Sequence, residues 1–121
     1  MSEHANGRLL AEWFWTDRWT RSSAFYLPPA PKGIYREMLT QAWARGATLP
    51  ADLALVQRII GVTRDEWDQA WPLIERYWKR DGVVLANETQ LQIYLDAAAR
   101  AEKASQHGRR AAQARHLKVL K

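Results

Sequence analysis

The chain has 121 residues, 47% of them hydrophobic, and a formal net charge of +5. That length fits one domain with one modest core. The absence of cysteine excludes a disulfide framework, a thiolate zinc site and a thiol nucleophile, and no apolar run approaches the roughly 18 residues of a membrane span.

The charge is unevenly placed. Residues 1–90 carry 11 Lys/Arg and 11 Asp/Glu, whereas residues 91–121 carry 7 Lys/Arg against Asp96 and Glu102. Basicity therefore belongs to the C-terminal stretch. Seven tryptophans are more than a small helical core buries easily. Met1 to Gly7 is polar and unlike a signal peptide, so the expected location is cytoplasmic.

Residues 1–11 read as a flexible leader. Glu12-Trp13-Phe14-Trp15-Thr16 predicts a short strand, because aromatics suit a pleated, half-buried surface. Pro28, Pro29 and Pro31 then punctuate the chain. A first helix is predicted from Pro31 to Ala44, with Ile34, Tyr35, Met38, Leu39, Ala42 and Trp43 on one face and Gly46 as its stop. A second runs from Ala51 to Ile60, with Leu53, Val56, Ile59 and Ile60 inward and Gly61 at its end.

The third helix has the clearest start. Thr63 and Glu66 have capping-box spacing, and Val62 and Trp67 have that of a hydrophobic staple. Trp67, Ala70, Trp71, Ile74 and Trp78 continue its inner face, Pro72 predicts a kink, and Asp81-Gly82 ends it. Val83 to Ala86 reads as a strand. Thr89…Gln92 is spaced to cap a fourth helix whose apolar face is Leu91, Tyr94, Leu95 and Ala98; Glu88 to Ile93 as the return strand of a hairpin is the alternative. From 103 to 121 the chain is rich in Ala, Arg and Gln, with high helix propensity and little to bury, so it is expected to be disordered alone or to order on a partner. The expected architecture is mainly α: a winged helix-turn-helix-like domain over 12–102 with a short β wing, and a basic C-terminal helix or tail over 103–121.

Several segments resemble a known family. They are Ser22 to Tyr35, ending in Gly33-Ile34-Tyr35; Met38-Leu39 with Ala42-Trp43; Leu49-Pro50-Ala51-Asp52; Gly61 with Trp67; the aromatic start at Trp13-Phe14; and the Gly/Ala/Arg run from Gly108 to Arg115. Their order and spacing resemble the YdaU-like domain of phages and prophages, over roughly residues 13–116. Asp17 fills that family's early Asp position loosely, and Gln90 stands where an Arg is frequent. The resemblance implies a phage replication context, at the N-terminus of replication-initiation proteins, and no mechanism.

In a DNA-reading helix-turn-helix the second helix meets base edges with its N-terminal residues. Here that region carries Arg64, Asp65, Glu66 and Asp68; the acids suit a helix N-terminus and repel phosphate. Lys103, Arg109, Arg110, Arg115, Lys118 and Lys121, with His107 and His116 among them, are the main nucleic-acid candidates, because uncompensated cations release counterions from a phosphate backbone. Arg76, Lys79 and Arg80 form a second basic group, readable as phosphate contacts or as helix-dipole compensation. Trp13, Trp15 and Trp19, interleaved with Arg18 and Arg21, are candidates for base stacking or partner contact, or are core. Gly33-Ile34-Tyr35 also echoes a nuclease motif but sits on a predicted helix. No metal-ligand spacing, nucleophile-base pairing or phosphate loop is present, so no enzyme, metal or cofactor is expected. The expected function is non-catalytic binding of DNA, mainly through the basic extension and without strong sequence preference. The alternative is an adaptor to a helicase or primase, or a homo-oligomer, using exposed tryptophans.

Overall fold

The computed structural model describes Leu9 and residues 11–120, the side chains of 119 and 120 excepted. Its elements are helices α1 (Thr16–Arg21), α2 (Pro29–Trp43), α3 (Leu53–Ile60), α4 (Arg64–Ile74) and α5 (Glu88–Leu120), with strands β1 (Leu49–Pro50), β2 (Lys79–Asp81) and β3 (Val84–Ala86). Short 3₁₀ turns occupy Ser23–Tyr26 and Glu75–Tyr77. No described helix is long and apolar enough to cross a membrane.

The predicted strand at 12–16 does not form. Residues 12–15 run without regular structure into α1. Their side chains find partners on α2 rather than on a neighbouring strand. Glu12 Oε1 accepts from Thr40 Oγ1 at 3.0 Å, and the Arg36 guanidinium lies 3.7 Å from the Phe14 ring centroid. Helix α2 begins at Pro29, two residues earlier than expected, because proline is tolerated in a first turn whose N–H groups have no intrahelical acceptor. All six residues of its predicted apolar face are buried. Gly46 (φ 79) and Ala47 (φ 70) then turn the chain left-handed, and the Ala47 amide closes on the Ala42 carbonyl at 2.8 Å.

Asp52 caps α3 by accepting from the amides of Ala54 and Leu55. The helix therefore starts at Leu53, and Gly61 (φ 83) closes it. Of its predicted stripe only Val56 is fully buried, while Leu53 and Ile60 pack at the core margin. The capping box of α4 is complete: Glu66 N–H donates to Thr63 Oγ1 at 3.1 Å, and Thr63 N–H to Glu66 Oε1 at 2.9 Å. Val62 packs against the cluster that buries Trp67.

The third predicted helix does not reach Asp81-Gly82. Pro72 stays inside α4, the α-helix ends at Ile74, and the chain tightens into the 3₁₀ turn before Trp78 turns extended. Lys79–Asp81 instead pairs antiparallel with β3, so the sheet satisfies their backbone groups. Gly82 (φ 62) is the first residue of a two-residue hairpin loop, not a helix stop. The wing is thus built with the strand before Gly82, and Glu88 to Ile93 is helix rather than a return strand. Strand order is β1-β3-β2, with Leu49 and Arg80 both opposite Leu85. Pro50 lies on the edge strand β1, where its missing N–H costs no ladder bond on the outer side.

The main core gathers Ala24, Met38, Leu49, Val56, Trp67, Ile74, Trp78 and Leu85 among others. A second cluster holds Trp43, Ala47, Tyr94 and Ala97 with Leu9 over them, so this one described residue before 11 is buried. On α5, Leu95 faces solvent and Ala97 takes the inward place expected of it. The whole is mainly helical with a small antiparallel sheet, in an order compatible with a winged-helix arrangement.

The exposed carboxyl of Glu66 is held below its ordinary range, first by the Thr63 backbone amide and then by the Thr63 hydroxyl contact. A lowered carboxyl pKa stabilises the fold above the unfolded-state value of 4.5, and that contribution fades as pH falls towards the folded-state value. Glu66→Gln is therefore expected to be less stable than the parent chain at neutral pH. Denaturant melts across pH should show the two converging as pH falls below 4.5 and through the lower folded-state value.

Candidate nucleic-acid interface

Asn87 joins three elements. Its Oδ1 accepts from the Gln90 amide at 3.0 Å, making Asn87 the cap of α5. Its Nδ2 donates to Tyr35 Oη on α2 and to the Tyr77 carbonyl, both at 3.0 Å. Gln90 Nε2 in turn donates to the Leu39 carbonyl at 2.6 Å. Burial pushes the Tyr35 phenol above its usual 10.0, against the Asn87 hydrogen bond, which acts to lower it. The spacing Asn87…Gln90 is itself that of a capping pair. The expectation of a cap at Thr89…Gln92 is displaced by two residues, because Asn87 is the residue whose amide also reaches two buried acceptors.

Beside this junction lies a groove of about 490 Å³ between residues 12–19, the segment 76–79 and the head of α5. Trp19 is its anchored wall, stacked 5.9 Å from Tyr35 at 20° and edge-on to Phe25 at 5.8 Å. Trp13 and Trp15 are 42% and 51% exposed. Arg18 lies 4.8 Å over the Trp15 ring and Arg100 lies 5.8 Å over the Trp13 ring. The three N-terminal tryptophans thus converge on one site in different roles: Trp19 is structural, and Trp13 and Trp15 offer surface. Trp43, Trp67 and Trp78 are buried, and Trp71 stacks on Trp67 at 5.2 Å.

The basic trio divides. Arg76 and Lys79 both line the groove; Arg76 bonds Tyr77 Oη at 2.7 Å, and Lys79 pairs with Glu88 at 3.1 Å. Arg80 points to the other face of β2, where it donates to the Ala51 carbonyl at 3.1 Å. Lys79 and Arg80 lie on β2, away from any α-helix end, whereas Arg76 directly follows the C-cap of α4, where a cation also suits the helix dipole.

The C-terminal cations lie on a continuation of α5, which is helical through its described length of 33 residues, about 50 Å. At about 3.6 residues per turn, Arg100, Lys103, Arg110 and Lys118 fall on one narrow stripe with His107, and Arg115 lies beside it. Arg109 points away and is engaged with Glu102 and Ser105. Lys121 lies outside the described residues. The acids Asp65, Glu66 and Asp68 are all exposed along the start of α4.

Sequence reasoning reached the tryptophans and the cations but missed Asn87, Gln90, Glu12 and Arg36. Asn87→Ala removes a cap and leaves buried polar groups on Tyr35, Tyr77 and Gln90 without their partner. A loss of about 2–3 kcal/mol in denaturant unfolding is expected.

No protein-family model, curated protein or solved structure matches the chain.

Proposed function

We propose that this is a non-catalytic nucleic-acid-binding protein, with a winged-helix-like body and a basic helical arm. The observation that carries the reading is the stripe of Arg100, Lys103, Arg110 and Lys118 along α5, in a stretch with no acid after Glu102. Regularly spaced cations on a rod can neutralise successive phosphates and release their counterions, giving binding with little sequence preference. The exposed acids at the start of α4 argue against base reading by that helix, so the arm is the principal contact. The order α2-β1-α3-α4-β2-β3, with a turn of Gly61, Val62 and Thr63 between α3 and α4, supports the winged helix-turn-helix assignment. The resemblance to the YdaU-like domain adds phage or prophage DNA replication as the context, in the cytoplasm. The second reading is an adaptor to a replication protein or a self-association module. Its motivating observation is the exposure of Trp13 and Trp15.

The test uses the full chain with Lys103, Arg110, Arg115 and Lys118 changed together to Gln. Binding to a labelled duplex is measured by fluorescence anisotropy at several salt concentrations. Loss of four phosphate contacts should reduce the slope of log affinity against log salt by about 3 to 4. An unchanged affinity and slope would remove the arm from the interface, and a parent chain that binds no duplex would favour the adaptor reading.

A further inference from the structure

The groove beside Asn87 is not needed by the arm, and its chemistry is different. Its walls are aromatic, with Trp15 and Trp13 each half open to solvent. Its volume of about 490 Å³ lies within the range of ligand pockets, about 300–1,000 Å³. Two lining residues carry buried polar atoms with no hydrogen-bond partner: Trp78 Nε1, a donor, and Gln90 Oε1, an acceptor. Both residues are more than nine-tenths buried. Both atoms are closed off from solvent, so they lie behind the walls, and the accessible lining is aromatic and cationic.

The groove's charged lining suits a phosphate beside it. Arg18 and Arg76 are exposed among its lining residues, and Lys79 is paired with Glu88. The two carboxylates there are already engaged: Glu12 with Arg36 and Thr40, and Glu88 with Lys79. Planar aromatic walls with exposed cations beside them are the combination that holds an unstacked nucleobase with its phosphate outside. A duplex keeps its bases stacked inside and cannot present one to these walls.

We propose that this groove binds unpaired nucleobases of a single strand, stacking them against Trp13 and Trp15, with Arg18 and Arg76 at the flanking phosphates. This deepens the nucleic-acid reading and rests on it for the arm's share of affinity. It gives the protein a preference for single strands that the arm alone does not supply.

The experiment compares the full chain with Trp13→Ala/Trp15→Ala and, separately, Arg18→Gln. The three substituted side chains are exposed at the surface, and circular dichroism confirms folding. Probes are a labelled oligo-dT of fifteen nucleotides and a fifteen-base-pair duplex, together with quenching of intrinsic tryptophan fluorescence by unlabelled tetrathymidylate. The proposal expects the double variant to lose about ten- to a hundredfold in single-strand affinity. Duplex affinity should stay within twofold, Arg18→Gln should show a smaller loss in the same direction, and tetrathymidylate should quench the parent chain. Equal affinity of parent and double variant for oligo-dT overturns the groove while leaving a duplex-binding arm intact. A parallel loss on both probes also overturns it, since the residues would then serve binding in general. If the parent chain binds no duplex, the arm reading falls by itself. Quenching by tetrathymidylate that Arg18→Gln weakens would still uphold the groove, and its absence would overturn it.

Discussion

The buried amide of Asn87 is the constraint on which the arrangement of the other parts depends. One side chain caps α5, holds the phenol of α2 and ties the end of the 3₁₀ turn that leads into the hairpin. Each partner is buried or part-buried, so each bond replaces water that cannot return. The consequence is positional. Trp19 stacks on Tyr35, Tyr77 packs against Tyr35 at 5.1 Å, and Trp78 meets it edge-on at 6.2 Å. The aromatic lining of the groove is therefore arranged around a ring whose hydroxyl is fixed by Asn87.

Electrostatics divides the molecule into surfaces of different charge. The start of α4 is acidic, and its charges serve the helix itself: the capping box, the favourable N-terminal dipole, and the Arg64–Asp68 pair at 3.7 Å. Such exposed pairs contribute little to stability, but they keep a polyanion away from that face. The distal half of α5 has the opposite character. Between them, the groove rim carries cations whose neighbouring carboxylates are occupied. The start of α4 and the distal half of α5 thus present potentials of opposite sign.

Much of the fold was legible because it rests on local rules. The apolar face of α2 follows a 3.6-residue period without interruption, and all six of its predicted residues are buried. Thr63 and Glu66 announced α4 through spacing alone. What the sequence hid depends on pairing across distance. Lys79–Asp81 is polar and has no strand signature; it becomes β2 because β3 lies alongside. The segment 12–15 has strand-like composition and stays irregular because Arg36 and Thr40 meet it from α2. At the site, the tryptophans and cations stood out as residue types. Asn87 and Gln90 did not, since nothing local says that an amide will find Tyr35 Oη or the Leu39 carbonyl some fifty positions away.

The continuity of α5 relates body and arm by phase rather than by contact. Tyr94 and Ala97 fix the rotation of the helix where it packs, and no described residue beyond Ser105 except Ala111 is even half-buried. The azimuth of Lys103, Arg110 and Lys118 is thus inherited through the backbone, at about 100° per residue. A single residue inserted between Ala101 and Lys103 would leave the contacts of Tyr94, Ala97, Ala98 and Ala101 in place and swing the basic stripe by more than a quarter turn. The direction in which this protein presents its charge is encoded in a residue count.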